Sequence, residues 1–264
     1  MVNKRHVYIV IFTVLFFIFL SYRESLAQYA WIKYRNAGVA IFLTKDAQLA
    51  MQIGDHFFNR GGYDLDRAEK AFKKAVRLEP DIPMGHYQLA RIYFVKGETG
   101  RALEEINLEI TLNQWNLRSF YIRGLIYGYG KRFEAAENDF RRFIEWTPKE
   151  WAGYNDLAWI LAERGKYTDA AETINKAFEE IPEARENNPW LWNSLGVAYL
   201  NLEAYTKAEE AFLKAEKIAV SMPLAEWLRA YPGNDSDNAL KGLENFKFAI
   251  EANLKKSRIV EKSL

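Results

Sequence analysis

Catalysis needs nucleophiles, acids, bases or metal ligands that converge, and this 264-residue chain has few. Its three histidines, His6, His56 and His86, are widely separated. His6 belongs to a basic N-terminal flank, and the other two fall in different helical segments without a partner set at metal-ligand spacing. Both read as surface or groove histidines. Cysteine is absent, which excludes a thiol nucleophile, a disulfide, a cysteine-ligated zinc and attachment through a lipidated cysteine. The stretch from Gly124 to Lys131 has the look of a phosphate loop, but such a loop needs four residues between its glycines and Ser or Thr after the lysine. Here five separate Gly124 from Gly130, and Arg132 follows Lys131. The pairs Glu104-Glu105 and Glu179-Glu180 read as solvated helix faces, because adjacent helical residues point about 100° apart. No catalytic set, metal site or cofactor signature emerges, so the chemistry to look for is that of binding. Asn234-Asp235-Ser236 fits a glycosylation sequon.

Composition agrees. Hydrophobic residues make up 49% and charged residues 27%, with a formal net charge of +1. That balance gives no electrostatic reason to expect nucleic acid. The N-terminus differs from the rest: Asn3-Lys4-Arg5-His6 precedes Val7 to Leu20, where only Tyr8 and Thr13 carry polar side-chain groups. Two readings stand. The segment is a membrane anchor, snorkelling through Lys4, Arg5 and Arg23, or a signal peptide cleaved near Ala27 after Ser25-Leu26-Ala27. In both, the basic flank stays cytoplasmic and the rest lies on the extracytoplasmic side.

The elements that would carry a binding surface announce themselves by period. Ala68, Ala102, Ala136, Ala170 and Ala208 recur at intervals of 34, 34, 34 and 38 residues, each followed four positions later by Phe72, Ile106, Phe140, Ile174 or Phe212. Pro80, Pro148 and Pro182 lie twelve positions after three of them. Upstream, a small residue (Gly54, Ala90, Gly124, Ala158, Gly196) precedes a large one by three (Phe57, Tyr93, Tyr127, Leu161, Tyr199). A period near 34 with this placement resembles the tetratricopeptide repeat (TPR) family. The expected fold is all-α: a right-handed α-solenoid of about five TPR helix pairs, A and B, with an N-terminal apolar helix and a C-terminal capping helix. The expected boundaries are an apolar segment over 1–27, a linker or N-terminal cap over 28–45, repeats over 46–80, 83–114, 117–148, 151–182 and 189–220, and a capping helix and tail over 223–264. Gln28 to Lys45, with Trp31 and Phe42, is either a juxtamembrane aromatic belt or a helix covering the first repeat. Extra residues around Arg60-Gly61-Gly62 lengthen the first A–B turn, and Glu183 to Asn188 reads as an added polar loop. Arg123, standing where the other repeats have Ile or Leu, points to less regular packing. Asp235 or Asp237 is positioned to cap a last helix over about Asn238 to Lys256.

The resemblance implies a concave groove lined mainly by A helices that holds an extended peptide or a partner helix. On this chain the family's groove positions fall on Met84, Tyr87, Arg91 and Phe94 in the second repeat, and on Arg118, Tyr121 and Leu125 in the third. They continue at Asn155 and Trp159 in the fourth, and at Trp190, Asn193, Val197 and Leu200 in the fifth. TPR domains that clamp a C-terminal carboxylate use several basic residues there; only Arg91 and Arg118 are available. The expectation is a non-enzymatic scaffold of the cell envelope that binds a protein or peptide partner, in assembly of a larger complex, without nucleic acid or a small-molecule cofactor. The alternative is an accessory subunit of an envelope glycan- or polysaccharide-modifying complex, its aromatics meeting sugar.

Overall fold

The computed structural model describes residues 4–59, 63–230 and 236–261, and among these every regular element is a helix. In order they are α1 (Lys4–Tyr34), α2 (Ala37–Leu43), α3 (Ala47–Asn59), α4 (Leu65–Leu78), α5 (Gly85–Val95), α6 (Thr99–Leu112), α7 (Arg118–Tyr129), α8 (Phe133–Trp146), α9 (Trp151–Glu163), α10 (Tyr167–Glu180), α11 (Ala184–Asn187), α12 (Pro189–Asn201), α13 (Tyr205–Ser221), α14 (Leu224–Ala230) and α15 (Ser236–Glu261). The chain forms two compact units, Met1–Ile92 and Tyr93–Leu264.

In the first unit, α3 and α4 form an A–B pair. Asp64 caps α4 by accepting from the Arg67 amide at 2.9 Å. The extra turn residues, 60–62, lie outside the described residues. The segment ahead of the pair covers it. Trp31, 5% exposed, sets its ring 5.2 Å from His56 and 6.0 Å from Phe57. A polar latch holds this cover down: Arg23 donates to the carbonyls of Leu43 and Phe42. Glu24 accepts from the Thr44 hydroxyl at 2.5 Å and the Lys45 amide at 2.7 Å. Within Gln28 to Lys45, Trp31 is thus packed on the first pair, while Tyr29 and Phe42 remain exposed.

In the second unit, α7/α8, α9/α10 and α12/α13 are successive A–B pairs, with α6 preceding them. Their A–B turns share one conformation. Gly97, Lys131, Gly165 and Glu203 all adopt positive φ, between 57° and 77°. After each, the next amide reaches back to the carbonyl of Tyr93, Tyr127, Leu161 or Tyr199 at 2.8–2.9 Å, satisfying a helix-end acceptor. Where that acceptor residue is a tyrosine, a basic side chain covers its ring: Arg101 over Tyr93, Arg132 over Tyr127 and Lys207 over Tyr199, at 3.8–5.6 Å.

The A–B crossing is set by an aromatic ring lying on a bare Cα. A Cβ on Gly54 would stand 2.5 Å from the Phe72 ring, one on Gly124 2.8 Å from Phe140, and one on Gly196 2.5 Å from Phe212. All three rings are 0% exposed. The fourth repeat carries alanine at this position, Ala158, and its B helix carries Ile174 instead of phenylalanine. Volume is thus exchanged across the crossing: glycine with Phe, alanine with Ile.

The expected loop from Glu183 to Asn188 is instead a packed helical turn, α11. It is held because the Trp192 indole donates to the Arg185 carbonyl at 2.8 Å and the Arg185 guanidinium lies 4.9 Å from the Phe178 ring. Asn188 then caps α12. At the far end, α15 packs along α13 with Ile250, Leu254 and Ser257 buried. α14 and α15 bring Trp227 and Phe246 against Trp190, whose other side stacks on Trp151 at 4.9 Å. Asn234 and Asp235, proposed for a sequon and a cap, lie outside the described residues, and α15 begins earlier than expected, at Ser236.

Gly196→Ala is expected to destabilise the protein by about 1–3 kcal/mol through overpacking. Adding Phe212→Ile, the pairing found in the fourth repeat, is expected to recover at least about 1 kcal/mol of the summed single losses. Chemical unfolding of the two single variants and the double variant checks this coupling.

Candidate partner-binding surface

In α9 the stripe Leu157, Ala158 and Leu161 is buried, so Asn155, Asp156 and Trp159 emerge beside it, only partly covered. The same register brings Tyr121 and Leu125 out of α7, and Asn193, Ser194 and Val197 out of α12. Side-chain hydrogen bonds tie these three A helices together. The Tyr121 hydroxyl donates to Asp156 Oδ2 at 2.7 Å, and Asn155 Nδ2 donates to Asp156 Oδ1 at 3.0 Å. The Ser194 hydroxyl completes the chain by donating to Asn155 Oδ1 at 2.8 Å. Next to it, Asn193 Oδ1 is buried and has no hydrogen-bond partner among the described residues.

An aromatic row runs alongside. Phe94 meets Tyr129 edge to face at 5.5 Å, and Tyr129 meets Trp159 at 5.2 Å. Gly128 makes room for the last contact, since a Cβ there would come within 2.9 Å of the Trp159 ring. Tyr129 is 69% exposed at the middle of the row. Trp159 follows Asp156 by three positions, so the indole and the carboxylate share one side of α9.

The electrostatics single out Asp156. Burial raises its carboxyl to about 6, against the hydrogen bonds from Tyr121 and Asn155, which act to lower it. Burial, and then the Asp156 charge, also raise the Tyr129 hydroxyl. Two other covered acids of this unit are treated differently. Asp139 receives both Nε and Nη2 of Arg123 at 2.8 Å, and these hydrogen bonds raise the guanidinium above its ordinary value despite burial. Glu137 is gripped by Arg141, Arg164 and Lys166. Burial pushes Glu137 up, but hydrogen bonds and charge from Arg141 and Lys166 outweigh it and hold the carboxyl below its usual range. Arg123 and its acid thus fill the place of the Ile or Leu used elsewhere.

The remaining expected groove residues are placed as follows. In the first unit Tyr87 is 6% exposed and Met84 is half-buried. Arg91 donates to Asn59 and Gln88 while lying 4.5 Å from the Phe58 ring. In the second unit, Arg118 is exposed and 3.9 Å from Glu150. Trp190 and Leu200 are buried, at 7% and 8%. Trp190 belongs to the terminal aromatic cluster, because α14 and α15 fold over the side that the repeat pattern marks as open. His56 packs on Trp31 and Phe57, and His86 Nε2 lies 3.0 Å from the Pro80 carbonyl. Sequence reasoning missed Asp156, Tyr129 and Ser194; the signal for Asp156 and Ser194 was a polar residue one place beyond the expected groove position, shared with Gln88 but broken by Ile122 in the third repeat, and Tyr129 had none.

Helix pairs presenting such a surface define a helical-repeat interaction domain. Family models described as tetratricopeptide repeat match residues 51–113, 123–185 and 191–219, together more than half of the chain. The chain belongs to the TPR family, a class of protein-interaction scaffolds that are generally non-enzymatic. It is similar to BBSome complex member BBS4 of Bos taurus, 29% identical over 147 residues, covering 56% of this chain and 27% of that protein. It is also similar to anaphase-promoting complex subunit 3 of Schizosaccharomyces pombe, 24% identical over 66% of this chain and 26% of that one. The chain thus spans about a quarter of the length of these relatives. Among solved structures, Pseudomonas aeruginosa pilF superimposes with a TM-score of 0.59 at 16% identity, over 83% of this chain and 97% of that one, a likeness of fold.

The raised Asp156 pKa sets a pH dependence. Between an ordinary carboxyl value of about 3.9 and the folded value of about 6, the folded state binds more protons than the unfolded state. Stability contributed by this group is therefore present at low pH, falls as pH rises from about 4 to about 6, and is level above. Asp156→Asn is expected to remove that fall, so its stability relative to the wild type improves by about 1–2 kcal/mol between pH 4 and 7.5, allowing for solvent screening. Urea unfolding across that range measures it.

Proposed function

We propose that this protein is a membrane-tethered TPR scaffold that captures a protein partner on the inner face of α7, α9 and α12, during assembly of a larger envelope complex. The observation that carries the binding surface is the hydrogen-bonded chain Tyr121–Asp156–Asn155–Ser194 beside an aromatic row. It fixes polar and apolar contact groups from three repeats before any ligand arrives, which lowers the ordering cost of binding. That two similar proteins are named as members of multisubunit complexes supports the reading.

The tether rests on α1. It contains one stretch, Ile11–Lys33, long and apolar enough to cross a membrane. Its outer part leaves Ile9, Ile11, Phe12, Phe16 and Phe17 bare, a concentration of apolar surface that water disfavours. From Lys4 to Tyr22 the helix extends about 28 Å, close to a hydrocarbon core of about 30 Å. Signal cleavage is a poor fit. Ala27 is 0% exposed in mid-helix, and cutting there would separate the Arg23–Glu24 latch from the Trp31 contact. These contacts support a retained anchor, and the charge of Lys4 and Arg5 favours the repeats on the extracytoplasmic side.

Two experiments test this. The mature N-terminus is expected to retain Val7 to Leu20, and a chain beginning at Gln28 would overturn the tether. Replacing Tyr121, Trp159 and Asn193 together with alanine is expected to reduce partner capture in pull-downs by about 100-fold or more while the helical signal persists. Undiminished capture would place the binding surface elsewhere.

A further inference from the structure

Asp156 poses a problem that the fold does not solve. A carboxylate drawn out of water is ordinarily matched by a cation, as Asp139 is by Arg123 and Glu137 by Arg141, Arg164 and Lys166. Asp156 is matched by two neutral groups, a phenol and an amide, and no basic side chain among the described residues lies within ion-pair distance of it. Neither α9 nor α12 contains a single Lys, Arg or His. On α7, Arg123 is committed to Asp139 and Arg118 sits by Glu150. Each Asp156 oxygen accepts one hydrogen bond and keeps capacity for another. The surroundings are those a cation favours: Trp159 one helical turn away on the same side of α9, Tyr129 tilted against that indole at 5.2 Å and close enough to feel the Asp156 charge, and Phe94 edge-to-face with Tyr129.

We infer that the inner face of α7, α9 and α12 recognises a basic side chain of an extended partner segment, with Asp156 as its counter-ion and the Trp159–Tyr129–Phe94 row as the wall on which it stacks. This rests on the partner-binding reading above and deepens it by naming the chemistry recognised. Arginine fits better than lysine, because a planar guanidinium both stacks on aromatic faces and presents paired donors to a carboxylate. Binding also gives the unpaired charge a counter-ion. The polarity is opposite to a carboxylate clamp, which would need free cations where this chain has an acid.

The test uses the full chain in detergent micelles and random peptides displayed on phage. Enrichment on the wild type of peptides with a fixed arginine or lysine position is the expected result. An enriched peptide resynthesised with neutral citrulline or norleucine in that position should bind the wild type about tenfold or more weakly. Against Asp156→Asn, the same exchange should change affinity less than about twofold, the residual expected once the charge partner is gone. Tyr121→Phe, which keeps the charge, should retain the preference, so a general loss of folding is distinguishable from loss of recognition. If peptides are enriched without a basic position, or if the neutral exchange costs the same in wild type and Asp156→Asn, the inference is wrong while the groove still binds peptide. If the wild type enriches no peptide at all, the partner-binding reading fails and takes the inference with it.

Discussion

A phenylalanine ring pressed onto a glycine Cα is the contact on which the repeat geometry turns. With no Cβ at Gly54, Gly124 or Gly196, the A helix drops onto the B-helix ring, and the two helices close to a separation that a side chain would forbid. The stripe carrying each glycine faces the B helix, so the residues flanking that stripe are turned outward. In α9 the corresponding small residue is Ala158, and Asn155, Asp156 and Trp159 flank it. A surface built on this register is only as well aimed as the crossing behind it. Gly128 extends the device between repeats, letting Trp159 of one A helix settle on the backbone of the preceding one.

Polar groups in the second unit divide by what they are matched with. Arg123–Asp139 and the Glu137 cluster are closed: each acid has its cations, and each ties a helix to its neighbour. The Tyr121–Asp156–Asn155–Ser194 chain is open. Its hydrogen bonds order the side chains across three A helices but leave the charge uncompensated and an adjacent amide oxygen unused. Satisfied networks give rigidity; an unsatisfied one held in place by packing calls for a reason, and the proposed basic segment of a partner supplies one. The first unit has a comparable closed device in the Arg23 and Glu24 latch, which joins α1 to the α2–α3 link and makes the apolar helix continuous with the cover of the first repeat.

The period, the small residues at the crossings and the prolines made the helix pairs legible, because each is a direct steric requirement of that packing. Arg123 was legible as an irregularity but not as half of an ion pair, since Asp139 lies sixteen residues on and nothing local links them. The site was legible in outline only. Tyr121, Asn155, Trp159 and Asn193 follow from repeat position, whereas Asp156 does not: its importance lies in lacking a cation, a property of every neighbour at once. Trp190 shows the reverse. Its repeat position marks an open face, yet α14 and α15 cover it, and no repeat pattern reports where a tail will fold. The helical turn α11 was hidden for the same reason, being stabilised by Trp192 and Phe178 and not by its own polar residues.

Whether the A-helix face of the second unit is where other molecules meet this protein is decided by site-specific photo-crosslinking in the full chain. A photoreactive residue placed at Leu125 or Val197 samples the A-helix face, and one at Trp115 or Trp146 samples exposed aromatic positions outside it, 84% and 57% accessible in the present structure. Leu125 and Val197 are expected to capture the same partner, and Trp115 and Trp146 to capture none. Capture confined to Trp115 and Trp146 would contradict this placement.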